Sequence, residues 1–230
     1  MSRSPATPVP VEPVRTGGES PSRRDKRASI LEAAIRVFAR NGYHGSRIAD
    51  IAAEAGIAYG LVYHYFKNKE EILSSVFEER WGAFLGTLEA IADQPGPAGA
   101  KLQSVATVIL GGHHVRPEWV KVLVLEIQRS SRFARPDQIR AVGRLFQIVA
   151  RIVREGQENG ELRGDVDPDM ACYVFIGALE IVITGVVLNV IQPGPDAPAG
   201  ARRDGGYYEK VGRTVVDVFL NGIAGRGGKG

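Results

Sequence analysis

The stretch of residues 46–69, SRIADIAAEAGIAYGLVYHYFKNK, constrains the fold more strongly than any other part of this 230-residue chain. Its first half places apolar residues at helical spacing on one face, namely Ile48, Ile51, Ala52 and Ala55. Gly56 then supplies the residue type that a left-handed turn position favours, because a side chain would clash there. Two short helices joined by such a turn predict a helix-turn-helix over residues 47–66, whose second helix fits the major groove of DNA.

The two helices of this motif have predictable ends and faces. Ser46 is predicted to cap the first helix, and Asp50 lies in its first turn, where the helix dipole favours a negative charge. The second helix, over residues 58–66, is predicted to turn three apolar side chains inward and to leave four residues facing outward. The inward residues are Leu61, Val62 and Phe66, and the outward residues are Tyr59, Gly60, Tyr63 and His64.

The outward face carries the chemistry of DNA recognition. Tyrosine hydroxyls donate to phosphates, and aromatic rings pack on thymine methyl groups. Gly60 costs roughly 1 kcal/mol of helix propensity, and its missing side chain leaves room for close approach to the duplex. A metal-binding or catalytic role for His64 is not expected, since no second ligand stands at helical spacing. For Tyr63 and Tyr65, a position in the core is the alternative to DNA contact.

The run ILEAAIRVFARNGYHGSRIADIAAEAGIAYGLVYHYFKNKEEIL resembles the N-terminal domain of TetR-type transcriptional regulators. The matching features are the helix end at residues 38–42, the IADIA helix and the AGIAYGLVYHYFKNKEEIL block, whereas the rest of the chain resembles the family only in architecture. The resemblance implies base or sugar contacts by the outward face of the second helix and phosphate contacts by the residues that follow it. The predicted DNA-contact set is Ser46, Arg47, Ala58, Tyr59, Gly60, Tyr63, His64, Tyr65, Lys67 and Lys69.

The distribution of charge supports a nucleic-acid partner for the N-terminal part. Residues 23–69 carry nine Lys and Arg against four Asp and Glu, an excess that is larger than the net charge of +3 of the whole chain. Cys172 is the only cysteine, which excludes an intrachain disulfide and is typical of a reducing compartment. The N-terminus shows no secretory signal pattern. Together with the resemblance to TetR-type regulators, which implies a prokaryotic protein, these features lead us to expect a cytoplasmic protein associated with the nucleoid.

The chain is predicted to be all-α, with about nine helices and no strand pattern. Residues 1–22 are rich in Pro, Ser and Gly and are predicted to be a disordered tail. Residues 23–69 form the predicted three-helix DNA-binding domain, beginning with a helix over residues 24–40 that Asn41 and Gly42 end. Residues 70–223 form a predicted helical bundle for effector binding and dimerisation, and residues 224–230 a flexible tail.

A helix from Met170 to about Val190 is apolar on nearly all sides, which predicts a dimer. Such a helix needs two apolar neighbours, here its own core and a partner chain, although a central helix of a monomer is the alternative. The apolar run over residues 174–191 contains Glu180 and Asn189, so a buried helix is favoured over a membrane span. A dimer places two reading helices about 34 Å apart on a palindromic operator. The predicted interface comprises Phe175, Ala178, Leu179, Val182, Val186, Val215 and Phe219.

The family resemblance implies that the C-terminal bundle binds a small molecule that changes the spacing of the two reading helices. The apolar bundle favours a hydrophobic effector, and the first domain is similar to regulators that sense fatty acyl-CoA; a hydrophobic drug or another apolar metabolite is the alternative. Arg129 and Arg132 are candidates for meeting an acyl-CoA phosphate. Polar residues within apolar helices form the predicted effector set: His113, Glu126, Gln128, Arg129, Tyr173, Glu180 and Thr184.

These patterns together favour a dimeric, ligand-responsive repressor that binds double-stranded DNA. An enzyme acting in the bundle is a remote alternative, because no nucleophile elbow, metal motif, phosphate loop or carboxylate pair is recognisable. No cofactor, metal or membrane partner is expected. A third hypothesis is an architectural DNA-binding protein without a ligand, which a bundle lacking a cavity would favour.

Overall fold

The computed structural model describes residues 22–127, 136–191 and 205–222, and within these ranges the chain is helical and contains no strand. The predicted tails at residues 1–22 and 224–230 lie outside the described residues, except for Ser22. The nine α-helices in the described ranges are α1 (Arg23–Gly45), α2 (Ile48–Glu54), α3 (Tyr59–Val62), α4 (Lys69–Asp93), α5 (Ala98–Val115), α6 (Pro117–Val122), α7 (Pro136–Glu158), α8 (Pro168–Val187) and α9 (Gly205–Asn221). The predicted all-α class is confirmed.

Polar caps and glycines set the helix boundaries. Ser22 and Asp25 form a reciprocal capping box at the start of α1. Gly42 has a φ of +72°, so the helix breaks where the sequence predicts, and one further turn carries the chain to Gly45. Gly56 has a φ of +66°, which confirms the predicted left-handed turn between α2 and α3. The Asn68 side chain accepts a hydrogen bond from the Glu71 amide and begins α4.

The predicted capping role of Ser46 is wrong. The residue that caps α2 is Arg47, whose backbone N–H donates to the Asp50 carboxylate at 2.8 Å. The Ser46 side chain is buried, and its hydroxyl donates to the backbone carbonyl of Gly42 at 2.6 Å. The kink at Gly42 leaves this carbonyl without a continuing helix, so the serine satisfies it and faces away from solvent.

The C-terminal unit is a bundle in which α5 packs against α9 and α7 packs against α8, while α4 runs from the N-terminal helices into the bundle and contacts α7. A short π-helical segment, Leu123–Ile127, follows α6. Asp167, which precedes Pro168 at the first helical position, caps α8 by accepting a hydrogen bond from the Met170 amide at 2.8 Å.

The helix α8 has one core face and one exposed apolar face. Phe175, Leu179 and Val186, predicted to form the dimer interface, are buried in the core of their own chain, so that part of the prediction is wrong. The centroids of the Phe175 ring and of the Phe219 ring on α9 are 5.0 Å apart. Ala178, Val182, Val215 and Phe219 are half-buried. The exposed face of α8 instead carries Val174, Gly177 and Ile181.

Length and composition alone would allow α8 to span a membrane, and it is the one helix in the described ranges for which this is true. Its inner face, however, contributes to the core, and 44% of its most apolar window is buried inside the protein. Cys172 lies on that inner face, where its thiol donates to the carbonyl of Phe146 at 3.3 Å. Burial raises the pKa of this thiol to about 11, which is typical of a packing residue and not of a nucleophile.

Candidate nucleic-acid interface and ligand cavity

The helix α3 ends at Val62 and is shorter than the predicted helix over residues 58–66, so Tyr63 and His64 lie in the turn that continues it. The reading surface, which Tyr59, Tyr63 and His64 form, faces outward, as the sequence predicts. The side chains of Tyr59 and Tyr63 are 54% and 47% exposed, and His64 is exposed beside them. The two tyrosine hydroxyls lie 2.9 Å apart, and the rings meet edge to face with centroids 5.4 Å apart. This hydrogen bond raises the pKa of Tyr63 above its ordinary value.

Gly60 lies between the two tyrosines in the sequence, and the space that a side chain would occupy there is open. A Cβ built at this position has no neighbouring atom within 4 Å, so packing within the chain does not require a glycine here. Ala58, at the start of α3, is also exposed. The two small residues leave a low surface between the large side chains, which allows the backbone of α3 to approach a flat or convex partner.

The chain after α3 turns back toward the core. The amides of Tyr65 and Phe66 both donate to the carbonyl of Val62 at 3.0 Å, which keeps this segment tightly wound as far as Phe66. Phe66 is buried, and Tyr65 is half-buried against the same core. The structure therefore gives Tyr65 a packing role that the sequence analysis left as the alternative.

Lys69 is turned inward, which the sequence analysis did not predict. Its ammonium donates to the carbonyl oxygens of Tyr43 and Ser46, the latter at 2.7 Å, and lies 4.3 Å from the centroid of the Tyr43 ring. The predicted phosphate contact by this side chain is therefore replaced by an internal contact that fastens the start of α4 to the end of α1. Ser46 is buried as well, so its side chain is not available for the predicted DNA contact.

The remaining cations of the N-terminal unit divide into paired and exposed groups. Arg36 and Arg40 both bind Glu54, at 2.6 and 2.9 Å, and these hydrogen bonds lower the pKa of that carboxyl. Arg47 and Lys67 are exposed and form no ion pair with any of the described residues. Arg47, which precedes α2, and Lys67, which follows α3, therefore present positive charge to solvent, as do Arg23 and Arg24 at the start of α1.

A cavity of about 890 Å³ lies within the C-terminal bundle, between α4, α5, α6, α7 and α8. Its wall is mainly apolar, with a group of aromatic side chains that comprises Phe77, Trp81, Phe84, Trp119 and Phe146. The polar side chains in the wall are Arg80, Thr87, Arg116, Gln138 and Glu180. The volume is that of a small-molecule site with a few polar groups on an apolar surface.

Three of the seven predicted effector residues, His113, Tyr173 and Thr184, are described by the structure and do not line the cavity. Glu180 lines the cavity, whereas Thr184 is half-buried on α8 and does not line it. The ring nitrogen Nδ1 of His113 is 2.7 Å from the hydroxyl of Tyr208, which joins α5 to α9. Tyr173 is exposed and packs on the ring of Phe146. The predictions for Gln128, Arg129 and Arg132, and for the side chain of Glu126, fall outside the described residues.

Three polar residues of the cavity were missed by the sequence analysis: Arg80, Arg116 and Gln138. Arg80 lies between Phe77 and Phe84 at helical spacing, so it is a cation on an otherwise apolar face of α4. Gln138 is only 3% exposed, and its Oε1 has no hydrogen-bond partner among the described residues. A buried acceptor without a partner is costly, so a donor on a bound molecule would stabilise it.

Arg80, Arg116 and Gln138 lie toward the end of the cavity that faces the N-terminal unit. Two contacts show that α4 and α7 run in the same direction. The indole N–H of Trp81 donates to the carbonyl of Ala141, and further along both helices the guanidinium of Arg151 donates to the carboxylate of Asp93. Gln138 precedes Ala141 by one turn and therefore lies toward the start of α4. Arg80 lies on the same stretch of α4 and pairs with Glu32 of α1. The two arginines of the cavity wall thus lie near the DNA-binding helices, while the aromatic wall continues along α4 into the bundle.

Comparison with known proteins agrees with this architecture. A family model described as bacterial regulatory proteins of the tetR family matches residues 30–76, and a model described as the YsiA-like protein C-terminal region matches residues 77–192. The fatty acid metabolism regulator protein of Bacillus subtilis is 33% identical over 171 residues, which cover 73% of this chain and 86% of that protein. The transcriptional repressor KstR2 of Mycolicibacterium smegmatis is 28% identical over 209 residues, covering 90% and 94% respectively.

A solved structure extends the similarity to three dimensions. The crystal structure of the transcriptional regulator FadR from Bacillus subtilis, in complex with stearoyl-CoA, has a TM-score of 0.73 and 28% identity to this chain. The similarity covers 86% of this chain and 99% of that one. All of these relatives are named as regulators or repressors, and none of them is named as an enzyme.

An outward-facing tyrosine helix on a three-helix scaffold, joined by α4 to a bundle with a cavity, defines a helix-turn-helix transcriptional regulator. The chain belongs to the TetR family of bacterial regulatory proteins. The function predicted from the sequence, a ligand-responsive transcriptional repressor of this family, is confirmed. As a bacterial transcription regulator, the protein acts in the cytoplasm.

Proposed function

We propose that this protein is a dimeric repressor that binds a palindromic operator and is released by a fatty acyl-CoA. The observation that carries the proposal is the apolar cavity with two arginines in its wall along α4, the same helix whose first residue is fastened to the DNA-binding unit. The proposal divides the chain into a DNA-binding domain at residues 23–69 and an effector and dimerisation domain at residues 70–223. Nucleoid association and the absence of catalysis are parts of the same proposal.

DNA reading is assigned to the exposed face of α3 and the cations beside it. Tyr59, Tyr63 and His64 would contact bases or sugars, since they are the large exposed side chains of α3 and of the turn that follows it. Gly60 and Ala58 leave space for close approach. Arg47 and Lys67 would bind phosphates, because among the described cations near α3 they are exposed and form no ion pair. Lys69 and Tyr65 support this surface from within.

Replacing Tyr63 tests the reading surface. Tyr63→Ala removes the ring and the hydroxyl from an exposed position, so we expect operator affinity to fall by at least about tenfold, as for loss of a base contact. Fluorescence anisotropy on the operator measures the affinity, and sedimentation measures the dimer. Tyr173→Ala, which removes a similarly exposed tyrosine from the C-terminal unit, is the control and should bind the operator normally. Equal affinity of the two variants would remove Tyr63 from the interface.

The proposed effector is an acyl-CoA because of the arrangement of apolar and polar groups in the cavity. An acyl chain fits the aromatic and aliphatic wall, and each buried methylene contributes about 0.8 kcal/mol to binding. Arg80 and Arg116 in the cavity wall suit an anionic head group, since guanidinium groups bind phosphate through paired N–H donors. The bound ligand in the similar regulator from Bacillus subtilis, stearoyl-CoA, has this chemistry. A neutral hydrophobic drug would offer neither arginine an anionic partner.

Filling the cavity tests the effector site. Val108→Trp places a large side chain into the wall, and we expect stearoyl-CoA affinity to fall by at least about tenfold because the ligand and the indole compete for one volume. Isothermal titration measures binding, and operator release by stearoyl-CoA should be lost in parallel. Thr107→Trp adds the same side chain at an exposed position one residue earlier and should behave as wild type. Normal stearoyl-CoA binding by the Val108 variant would contradict the site.

An architectural DNA-binding protein without a ligand is the second candidate, and the cavity counts against it. A core that needed no ligand would be filled by its own side chains, because protein interiors pack as densely as organic crystals. The cavity of about 890 Å³ is open to solvent, since its lining includes the exposed apolar side chains of Val115 and Ile139, so a ligand can enter it. Operator binding that stays unchanged with stearoyl-CoA bound would restore this candidate.

The proposed dimer surface is the exposed face of α8 together with the neighbouring face of α9. Val174, Gly177 and Ile181 on α8 and Val218 on α9 are exposed, and α8 packs against α9. Gly177 would allow two copies of α8 to approach closely. A symmetric interface of this kind uses the same face on both chains and would position the two α3 helices for the two halves of a palindrome.

A charge on this face should dissociate the dimer. Ile181→Glu places a carboxylate at the centre of the proposed interface, and two such charges would be buried together, so we expect the dimer dissociation constant to rise by at least about tenfold. Analytical ultracentrifugation measures the change. Ala90→Glu adds the same charge at an exposed position on α4 and should leave the dimer intact. An unchanged dimer in the Ile181 variant would place the interface elsewhere.

A further inference from the structure

The cavity and the DNA-binding unit share one charged cluster, formed by Glu32, Arg80 and Arg116. Glu32 lies on α1, Arg80 lies on α4, and Arg116 stands at the corner between α5 and α6. Both arginines approach the same carboxylate oxygen, Oε1 of Glu32: Arg80 forms a close ion pair with it, and Arg116 lies at 3.6 Å. Both arginines also line the cavity, whereas Glu32 does not.

The cluster has one anion for two cations. Burial, and then the neighbouring charge of Arg116, lower the pKa of Arg80 from its ordinary value, so the two guanidinium groups are close enough to repel each other. Glu32 compensates one of the two positive charges. An anion that entered the cavity beside them would meet both arginines and compete with Glu32 for them.

We propose that Glu32 is the internal counter-ion of the Arg80–Arg116 pair and that the phosphate groups of the effector displace it. This inference rests on the proposed acyl-CoA function and names the contact that links the effector to the DNA-binding unit. In the ligand-free protein, the carboxylate ties α1 to α4 and to the corner between α5 and α6. In the liganded protein, phosphate oxygens occupy the arginines, and the ion pairs of Glu32 with α4 and with the corner between α5 and α6 are lost.

A movement of α1 would change the position of the reading helix, because α1 contacts both Lys69 and α2. The end of α1 supplies the Tyr43 carbonyl that binds Lys69, and its inner face packs on α2 and α4. A change in the position of α1 relative to the bundle therefore moves α3 with it. Because the operator fixes the distance between the two α3 helices of a dimer, such a movement lowers operator affinity.

A second ion pair between α1 and α4 provides a matched control. Arg27 on α1 pairs with Glu79 on α4, the residue immediately before Arg80. Neither Arg27 nor Glu79 lines the cavity. Glu79→Gln therefore removes an ion pair between the same two helices without removing a competitor for the effector, and Glu32→Gln removes the proposed competitor while preserving side-chain shape.

The experiment is a titration of each purified full-length protein with stearoyl-CoA at constant ionic strength, followed by operator binding with and without stearoyl-CoA. We expect Glu32→Gln to bind stearoyl-CoA roughly two- to fivefold more tightly than wild type, the range expected for losing a partly exposed ion pair. The factor by which stearoyl-CoA weakens operator binding should shrink in the same variant. Glu79→Gln should match wild type in stearoyl-CoA affinity, and Glu32→Asp, which keeps the charge, should restore wild-type behaviour.

The outcomes separate this inference from the function on which it rests. If wild type binds stearoyl-CoA but Glu32→Gln binds no more tightly, or if Glu79→Gln gains as much, the displacement of Glu32 is wrong and the effector class stands. If folded, operator-binding wild type does not bind stearoyl-CoA, the effector class and this inference both fail. Stearate, which carries a carboxylate but no phosphate, should show a smaller difference between wild type and Glu32→Gln, and an equal difference would contradict displacement by phosphate.

Discussion

The orientation of the reading helix depends on the Lys69 ammonium and the two backbone carbonyls that it binds. The carbonyls of Tyr43 and Ser46 lie where α1 ends and the chain turns toward α2, and a helix end leaves such groups without helical partners. Hydrogen bonds from a charged donor contribute about 1.5–3 kcal/mol each. Since Lys69 is the first residue of α4, the contact closes residues 43–69 into one unit. The helix α3 lies within that unit, so its outward face is fixed relative to α4.

Because Lys69 fastens α4 to the end of α1, the ligand cavity and the reading surface share one rigid helix, α4. The helix α4 has 25 residues, and a helix of that length spans about 37 Å. Its first residue is held by the end of α1, while Phe77, Arg80, Trp81 and Phe84 along its length form part of the cavity wall. A ligand that changes the packing around α4 therefore changes the position of α3 without any flexible link between them.

Local features of the fold were predictable because they depend on residues that are close in sequence. The left-handed turn at Gly56, the break at Gly42 and the cap at Asp167 each follow from a backbone conformation or hydrogen bond that one residue type favours. The outward position of Tyr59 and Tyr63 follows from helical spacing, since Val62 and Phe66 occupy the inner face. These features placed the DNA-reading surface without knowledge of the rest of the chain.

The features that the sequence analysis missed depend on residues that meet only in the folded chain. Helical spacing does not distinguish the core face from the exposed face of α8, because both faces are apolar, so Phe175, Leu179 and Val186 were assigned to the wrong side. The cavity is formed by five helices, and Arg80 and Arg116 become a pair only through Glu32 of α1. The sequence around Lys69 does not distinguish it from an exposed lysine. It points inward because the backbone carbonyls at the end of α1 lie within reach of its ammonium.

The salt dependence of operator binding by a Lys69→Met variant, compared with Lys67→Met, tests the role of the Lys69 contact most directly. A lysine that binds a phosphate contributes a slope of about 1 to the dependence of log affinity on log salt concentration. If Lys69 fastens α4 internally, Lys69→Met lowers operator affinity and thermal stability but leaves the slope unchanged, whereas Lys67→Met reduces the slope with no loss of stability. A reduced slope with unchanged stability in Lys69→Met would show that Lys69 binds DNA and that another contact orients α3.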